Sequence, residues 1–183
     1  GRQGRGLLFH TAYRSHHRQV ALWNAKARGK RPLLDMHCRH IRAETLTPEE
    51  LMWAILRWSA LPGASRHHWG TDFDCYDLNA CPPNYQIQLT PAESQNLFGP
   101  FHSWLDEKMK DPQFPFYRPY DVYRGGIAVE PWHLSYTPLS RPFKEAYTYE
   151  LFLKVIEETA FELEDLVMEN AQEIFDKFVN STA

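Results

Sequence analysis

The sequence predicts an α+β fold, and three observations carry that reading. A capping box opens a core-facing helix after Thr47, short strand-like segments lie on either side of it, and no strand–helix–strand repeat points to a parallel sheet. Leu7 to Tyr13 reads as the first strand. Ser15 is an N-cap for a helix running to about Arg28, with Gly29 as its stop. Residues 29–41 are basic and irregular, which predicts a surface loop. In Thr47-Pro48-Glu49-Glu50 the threonine caps, the proline takes the first helical position and a glutamate the third. Leu51, Ala54, Ile55, Trp58 and Leu61 then recur on one face, until Pro62-Gly63 ends the helix.

Polar and aromatic residues alternate from Thr71 to Tyr76, as in a strand with Asp72 and Asp74 on one face and Phe73 on the other. Asp77 reads as a turn residue. Tyr85–Leu89 is a further strand candidate after the Cys81-Pro82-Pro83 turn. Residues 91–125 are rich in proline, glycine and aromatics and read as a long loop or insertion, with one helix near Phe101–Lys110. Trp132–Tyr136 is another short strand. A helical segment at about 148–180 completes the chain, read as two helices with Leu163, Leu166, Val167, Ile174 and Phe178 facing inward.

A chain of 183 residues fits a single domain spanning 1–183, long enough to bury a core without staples. Net charge is only −3, so nothing global calls for nucleic acid or an anionic membrane. The charge is unevenly placed: residues 1–42 hold ten Arg/Lys against Asp35 alone, and residues 143–183 hold ten Asp/Glu against three Lys. Two solvated faces that attract each other account for this asymmetry. No apolar run approaches the roughly 18–20 residues that span a bilayer, and no signal peptide is visible. The chain opens on Gly1 rather than Met, which reads as a processed or trimmed product. Cys38, Cys75 and Cys81 lack CxxC spacing, which argues against a structural cysteine–zinc site. Cys75 and Cys81 are either a disulfide pair or free buried thiols.

The chemistry is concentrated in two segments, Ser65-Arg66-His67-His68-Trp69-Gly70-Thr71-Asp72-Phe73-Asp74 and Glu130-Pro131-Trp132-His133-Leu134-Ser135-Tyr136. Together they offer two imidazoles and a carboxylate for one zinc ion, with a further glutamate beside them that need not be a ligand. Catalytic zinc sites are built from three protein ligands, an open position for water and a nearby carboxylate base. Taken singly, each residue has a plainer reading: His133 as a core histidine beside Trp132, and Glu130 as a surface acid. Their coincidence favours the site. Asp72 and His68 are rival ligands. In the segment from Tyr13 to Gln19, Arg14 stands at a strand-to-helix junction, where its planar fork can clamp a carboxylate or oxyanion. The plainer alternative is a solvated arginine at a helix start, with His16 and His17 exposed beside it.

These segments stand in a fixed order: Tyr13-Arg14-Ser15…Gln19, then Ser65-x-His67…Gly70…Asp74, then Glu130-x-Trp132-His133…Tyr136. In that order they resemble the VanY-type D-alanyl-D-alanine carboxypeptidases, bacterial zinc peptidases of peptidoglycan stem peptides that carry YRSxxxQ, SxHxxGxxxD and ExWHxxY. The resemblance implies a small central antiparallel sheet with flanking helices and one zinc, a fold shared with the Hedgehog signalling domain. It implies His67, Asp74 and His133 as ligands and Glu130 as general base. It further implies Arg14 at the oxyanion, and Ser65, Gln19, Ser15 and Tyr136 on the substrate peptide. Two features depart from the pattern: Asp72 stands where many relatives have a small residue, and little chain precedes the first motif.

The expected activity is hydrolysis of a terminal D-amino acid by zinc-activated water. L,D-carboxypeptidase or endopeptidase action on the same peptides is the alternative within enzymes, and a non-catalytic zinc-binding module the alternative outside them. Nucleic-acid binding through residues 1–42 is the weakest reading. The substrate points to the bacterial envelope or periplasm, while recycling enzymes of similar chemistry act in the cytoplasm.

Overall fold

The structure, a computed structural model, describes residues 6–183. Arg2 and Arg5 of the basic amino-terminal stretch lie outside the described residues. Four strands form the central sheet: β1 (Leu7–Thr11), β4 (Asp72–Asp77), β5 (Phe116–Tyr117) and β6 (His133–Tyr136). Their order is β1-β4-β6-β5, with every neighbouring pair antiparallel. The expected α+β architecture with a small antiparallel sheet is therefore present.

The register of β4 against β6 sets the chemistry. Asp72 pairs with Ser135, Phe73 with Leu134 and Asp74 with His133. Because side chains alternate along a strand, the polar pairs share one face and the apolar pair the other. On the apolar face, Cys75, Leu134, Phe98, Phe101 and Leu105 form a buried cluster. It is covered by α3 (Pro91–Gln95) and α4 (Gly99–Met109).

A second, larger core is almost wholly helical. It joins α1 (His16–Ala27), α2 (Pro48–Leu56), α6 (Tyr149–Glu157), α7 (Glu164–Glu169) and α8 (Ala171–Ile174) through Trp23, Met52, Ile55, Phe152, Val167 and Ile174. The caps lie where the sequence puts them. Ser15 accepts from the Arg18 N–H, and Thr47 and Glu50 form the reciprocal capping box. Arg28 meets Glu162 at 2.6 Å, one contact between the basic and acidic ends of the chain.

Several expectations are corrected. Residues 29–41 contain a two-strand ladder, β2 (Leu33–Leu34) with β3 (His40–Ile41), and Leu33 is buried, so the stretch is partly core. Helix α2 stops at Leu56, five residues short of the expected Leu61. Tyr85–Leu89 is not a strand: the Glu93 carboxylate takes up the Gln88 N–H at 3.0 Å and the Tyr85 hydroxyl at 2.8 Å, and Leu89 has φ +53°. The 91–125 segment holds two helices rather than one, because Thr90-Pro91 repeats the capping-box start with Glu93. The carboxy-terminal region is more broken than expected. It begins with α5 (Thr137–Ala146), and Leu163 interrupts it at φ +67° ahead of α7. Val167 and Ile174 are buried as expected, while Leu163, Leu166 and Phe178 are only half-buried. Asp77 does cap a turn, its Oδ1 accepting from the Asn79 N–H. Cys75 and Cys81 are free thiols. Among the described residues, no helix is long and apolar enough to cross a membrane.

Candidate metal centre and catalytic cleft

The polar face of β4 and β6 forms the floor of a cleft of about 240 Å³. Arg14, Ser65, His67, Asp74, Glu130 and His133 all line it. His67 enters from the 3₁₀ turn Arg66–Trp69, which Gly70 closes in the left-handed conformation at φ +71°. Asp74 comes from mid-strand β4 and His133 from the first position of β6. The tight spacing of Glu130 and His133 has a local cause: the His133 N–H donates to the Glu130 carbonyl at 3.1 Å. That turn across Pro131 sets both side chains at the same end of the strand.

His67, Asp74 and His133 each offer one candidate ligand atom, these atoms lie within 4.8 Å of one another, and all three residues are buried. His67 Nε2 is 3.5 Å from Asp74 Oδ2, and His133 Nδ1 is 3.2 Å from Asp74 Oδ1. Tetrahedral ligands about 2.1 Å from a zinc ion stand about 3.4 Å apart, so these separations suit one ion. Asp74 Oδ1 is buried and has no hydrogen-bond partner among the described residues. An acceptor of that kind calls for a cation. Nitrogen and carboxylate donors in this number suit zinc.

Surrounding contacts fix how each imidazole is presented. His67 Nδ1 faces the carbonyls of Ala12 at 3.0 Å and Asp72 at 3.3 Å, so it carries the proton and leaves the Nε2 lone pair for the cleft. His133 Nε2 meets Asp72 Oδ2 at 2.9 Å, which turns Nδ1 toward Asp74. Burial works against a charge on His133, but its contacts with Asp72 and Asp74 raise its pKa to about 9. Burial likewise opposes ionisation of Asp74, yet His133 and His67 hold its carboxyl well below the usual range. The electrostatics of the site thus favour a positive charge between these side chains.

Both rival ligands are occupied elsewhere. Asp72 accepts from Arg66 Nε at 2.6 Å, Thr71 Oγ1 at 2.9 Å and Ser135 Oγ at 2.8 Å, in addition to His133. Despite burial, His133 and Arg66 depress its pKa to about 2. His68 Nδ1 donates to the Arg14 carbonyl at 2.6 Å and its Nε2 accepts from the Gly63 N–H at 3.1 Å, so neither ring nitrogen is available. Burial lowers the His68 pKa and keeps the ring neutral in that role.

Glu130 lies beside the triad, with Oε2 3.6 Å from His133 Nδ1 and its side chain 13% exposed. Burial raises its pKa to about 7; His133 opposes that shift and Asp74 adds to it. A carboxylate poised near neutrality can both accept and return a proton. Arg14 is anchored from both ends, its N–H donating to the His67 carbonyl at 3.1 Å and its Nη1 to Gln19 Oε1 at 3.0 Å. Gln19 is fully buried, and its Nε2 donates to the Ala60 carbonyl at 2.7 Å.

The remaining expected site residues are placed differently. Ser65 lines the cleft, whereas Ser15 is engaged as the α1 cap. Tyr136 packs its ring on Phe116 at 5.3 Å and does not line the cleft. Sequence reasoning passed over Arg66, Lys26 and Tyr120. Arg66 is buried with its guanidinium 4.5 Å over the Trp69 ring, and Tyr120 packs edge-on to His133 at 4.9 Å. Arg66 and Asp72, six apart across a tight turn, were a readable charge pair. Tyr120 carried no sequence signal.

Residues 2–139 match the VanY family, D-alanyl-D-alanine carboxypeptidase. A protein of Haemophilus influenzae, itself uncharacterised, is 28% identical over 123 residues, covering 65% of this chain and 92% of that protein. Among solved structures, VanYB in complex with D-alanine-D-alanine aligns with a TM-score of 0.50 at 21% identity over 77% of this chain. The chain spans 65% of that VanYB chain, under two thirds of its length. The D,D-pentapeptidase VanY of a VanB-type resistance cassette, in complex with Zn(II), aligns with a TM-score of 0.49 at 20% identity, covering 90% of this chain and 72% of that one. With the family matched over most of its length, this chain belongs to the VanY D-alanyl-D-alanine carboxypeptidase family.

Proposed function

We propose that the protein is a zinc-dependent D-alanyl-D-alanine carboxypeptidase that removes the terminal D-amino acid from peptidoglycan stem peptides. One observation carries the reading beyond family membership: Glu130 stands 3.6 Å from the inward nitrogen of His133, beside a buried three-ligand cluster. A binding module needs the cluster but not a largely shielded carboxylate whose pKa is lifted to about 7.

In this reading His67, Asp74 and His133 hold the ion. Bound zinc supplies Lewis acidity, lowering the pKa of a water toward about 7 and polarising the scissile carbonyl. Glu130 accepts the proton of the attacking water and returns it to the leaving amine. Arg14, held by Gln19 and the His67 carbonyl, faces the oxygen that gains negative charge; one such donor contributes about 3–4 kcal/mol of barrier lowering. Ser65 lines the path of the peptide. A peptidoglycan substrate supports a location in the bacterial envelope or periplasm, with a cytoplasmic recycling role as the alternative.

The test is mass spectrometry of stem peptides incubated with zinc-loaded protein, with a chelated control. Loss of one D-alanine from the pentapeptide, abolished by chelation, is expected. Trimming of the tetrapeptide alone would assign L,D specificity instead. Internal cleavage would make it an endopeptidase, and one bound zinc without any cleavage would leave a binding module.

A further inference from the structure

The chemistry above leaves one cation in the cleft unused. Lys26 lies on α1 seven residues after Gln19, two turns along the same helix face. Both side chains reach the same wall: Gln19 Nε2 donates to the Ala60 carbonyl at 2.7 Å, and Lys26 Nζ donates to Ser59 Oγ at 2.6 Å. Lys26, Ser59 and Ser65 line the cleft together with Arg14, Glu130 and His67.

Side chains on a helix lean toward its amino terminus, which directs the Lys26 stem back toward the Arg14 end. Its Nζ has a hydroxyl partner but no ion pair with any carboxylate of the described residues. Burial, then Arg31 and Arg14 nearby, against partial opposition from Glu130, lower its pKa to about 8, so it still carries a proton at neutral pH. A half-buried ammonium with neighbouring cations is unfavourable unless an anion completes it. One charge-assisted donor is already fixed by Ser59, which leaves the others for a ligand.

We infer that Lys26, oriented by Ser59, binds the terminal α-carboxylate of the substrate and so selects peptides with a free carboxyl end. The inference rests on the peptidase reading and names what makes that cleft end-on. The carboxylate lies one residue beyond the scissile carbonyl, about 4 Å further along the chain. With Arg14 at the carbonyl oxygen, a second cation in the same cleft is the complement such a substrate requires.

The experiment compares diacetyl-L-lysyl-D-alanyl-D-alanine with its carboxy-terminal amide, using zinc-loaded wild type, Lys26→Met and Lys26→Arg. Wild type is expected to favour the free acid. Lys26→Met should lose about 10- to 100-fold in kcat/KM on the acid, mainly through KM, and at most about twofold on the amide. Lys26→Arg should recover most of the loss. Equal activity of Lys26→Met and wild type on the acid overturns the assignment, as does an equal loss on acid and amide. If wild type cleaves neither peptide, the peptidase reading fails. Calorimetric Kd values for the same acid and amide then decide Lys26 alone, by whether wild type prefers the acid and Lys26→Met does not.

Discussion

Asp72 Oδ2 meets His133 Nε2 at 2.9 Å, while Asp74, on the same face of the same strand, approaches Nδ1 of that ring at 3.2 Å. The two carboxylates grip one imidazole from opposite sides, yet their surroundings differ. Asp72 is saturated by Arg66, Thr71 and Ser135, whereas Asp74 Oδ1 makes no aligned hydrogen bond among the described residues and has His133 Nδ1 at 3.2 Å as its near neighbour. One acid is committed to orienting the ring, and the other is left for a cation.

That division predicts opposite metal phenotypes for two aspartates two residues apart. Asp72→Asn keeps the side chain's shape but removes the charge that holds Nε2–H, so zinc affinity should fall by about 10- to 100-fold without being abolished. Asp74→Asn removes a ligand charge and should lose the ion under the same conditions. Competition titration against a chelator of known affinity reads both. Equal zinc affinity in Asp72→Asn and wild type would show that the His133 orientation does not depend on this contact.

Glu130→Gln should separate chemistry from metal binding. The glutamine keeps the volume of a buried side chain but cannot take the proton, so kcat should fall by about 10²- to 10⁴-fold. Zinc content should stay near one ion per chain, because Glu130 stands outside the proposed ligand set. His133→Ala, in contrast, should lose the ion. Turnover within tenfold of wild type in Glu130→Gln would remove Glu130 as the base.

Gln19 offers a test between two roles. Family resemblance puts it on the substrate, but its amide is fully buried and bonded at both ends, to Arg14 and to Ala60. Acting through Arg14, Gln19→Leu should lower kcat by about 10-fold or more while KM moves less. It should also cost about 1–3 kcal/mol of stability, since a buried carbonyl loses its donor. A raised KM with unchanged kcat would instead put the amide on the peptide.

What the sequence made legible follows from how local each cause is. Caps at Ser15 and Thr47 involve partners three residues away, and the alternation at Asp72–Phe73–Asp74 is intrinsic to a strand, so both could be read directly. The ordered motifs brought Arg14, His67, Asp74, Glu130 and His133 onto one short list, and the structure lines one cleft with all five. Long-range pairing was not legible. Leu33 is buried because β2 packs on α2 at the edge of the helical core, and Tyr85–Leu89 is shaped by the Glu93 carboxylate rather than by a neighbouring strand. Asp72 was ambiguous for the same reason: its commitment to Arg66, Ser135 and His133 depends on a sheet register that sequence does not show.

His102 stands away from the cleft. It is buried on α4, its Nε2 has no partner among the described residues, and its Nδ1 faces the Arg118 guanidinium at 3.4 Å. Arg118 is itself tied to Asp106 and to the Pro131 carbonyl. Burial first, and then the Arg118 charge, lower the His102 pKa to about 4, with Asp106 in partial opposition. The unfolded chain, with a histidine pKa of about 6.5, therefore takes up a proton that the folded chain refuses as pH falls from about 6.5 to about 4. Stability contributed at neutral pH is lost across that window, by up to about 3 kcal/mol, and the loss levels off below it. His102→Leu removes the titrating group, so relative to wild type it should gain stability at pH about 4.5 compared with pH about 7.5. Urea unfolding of the chelated proteins at the two pH values measures the difference directly. A mutant-minus-wild-type difference that does not change with pH would mean that His102 does not titrate abnormally in the fold.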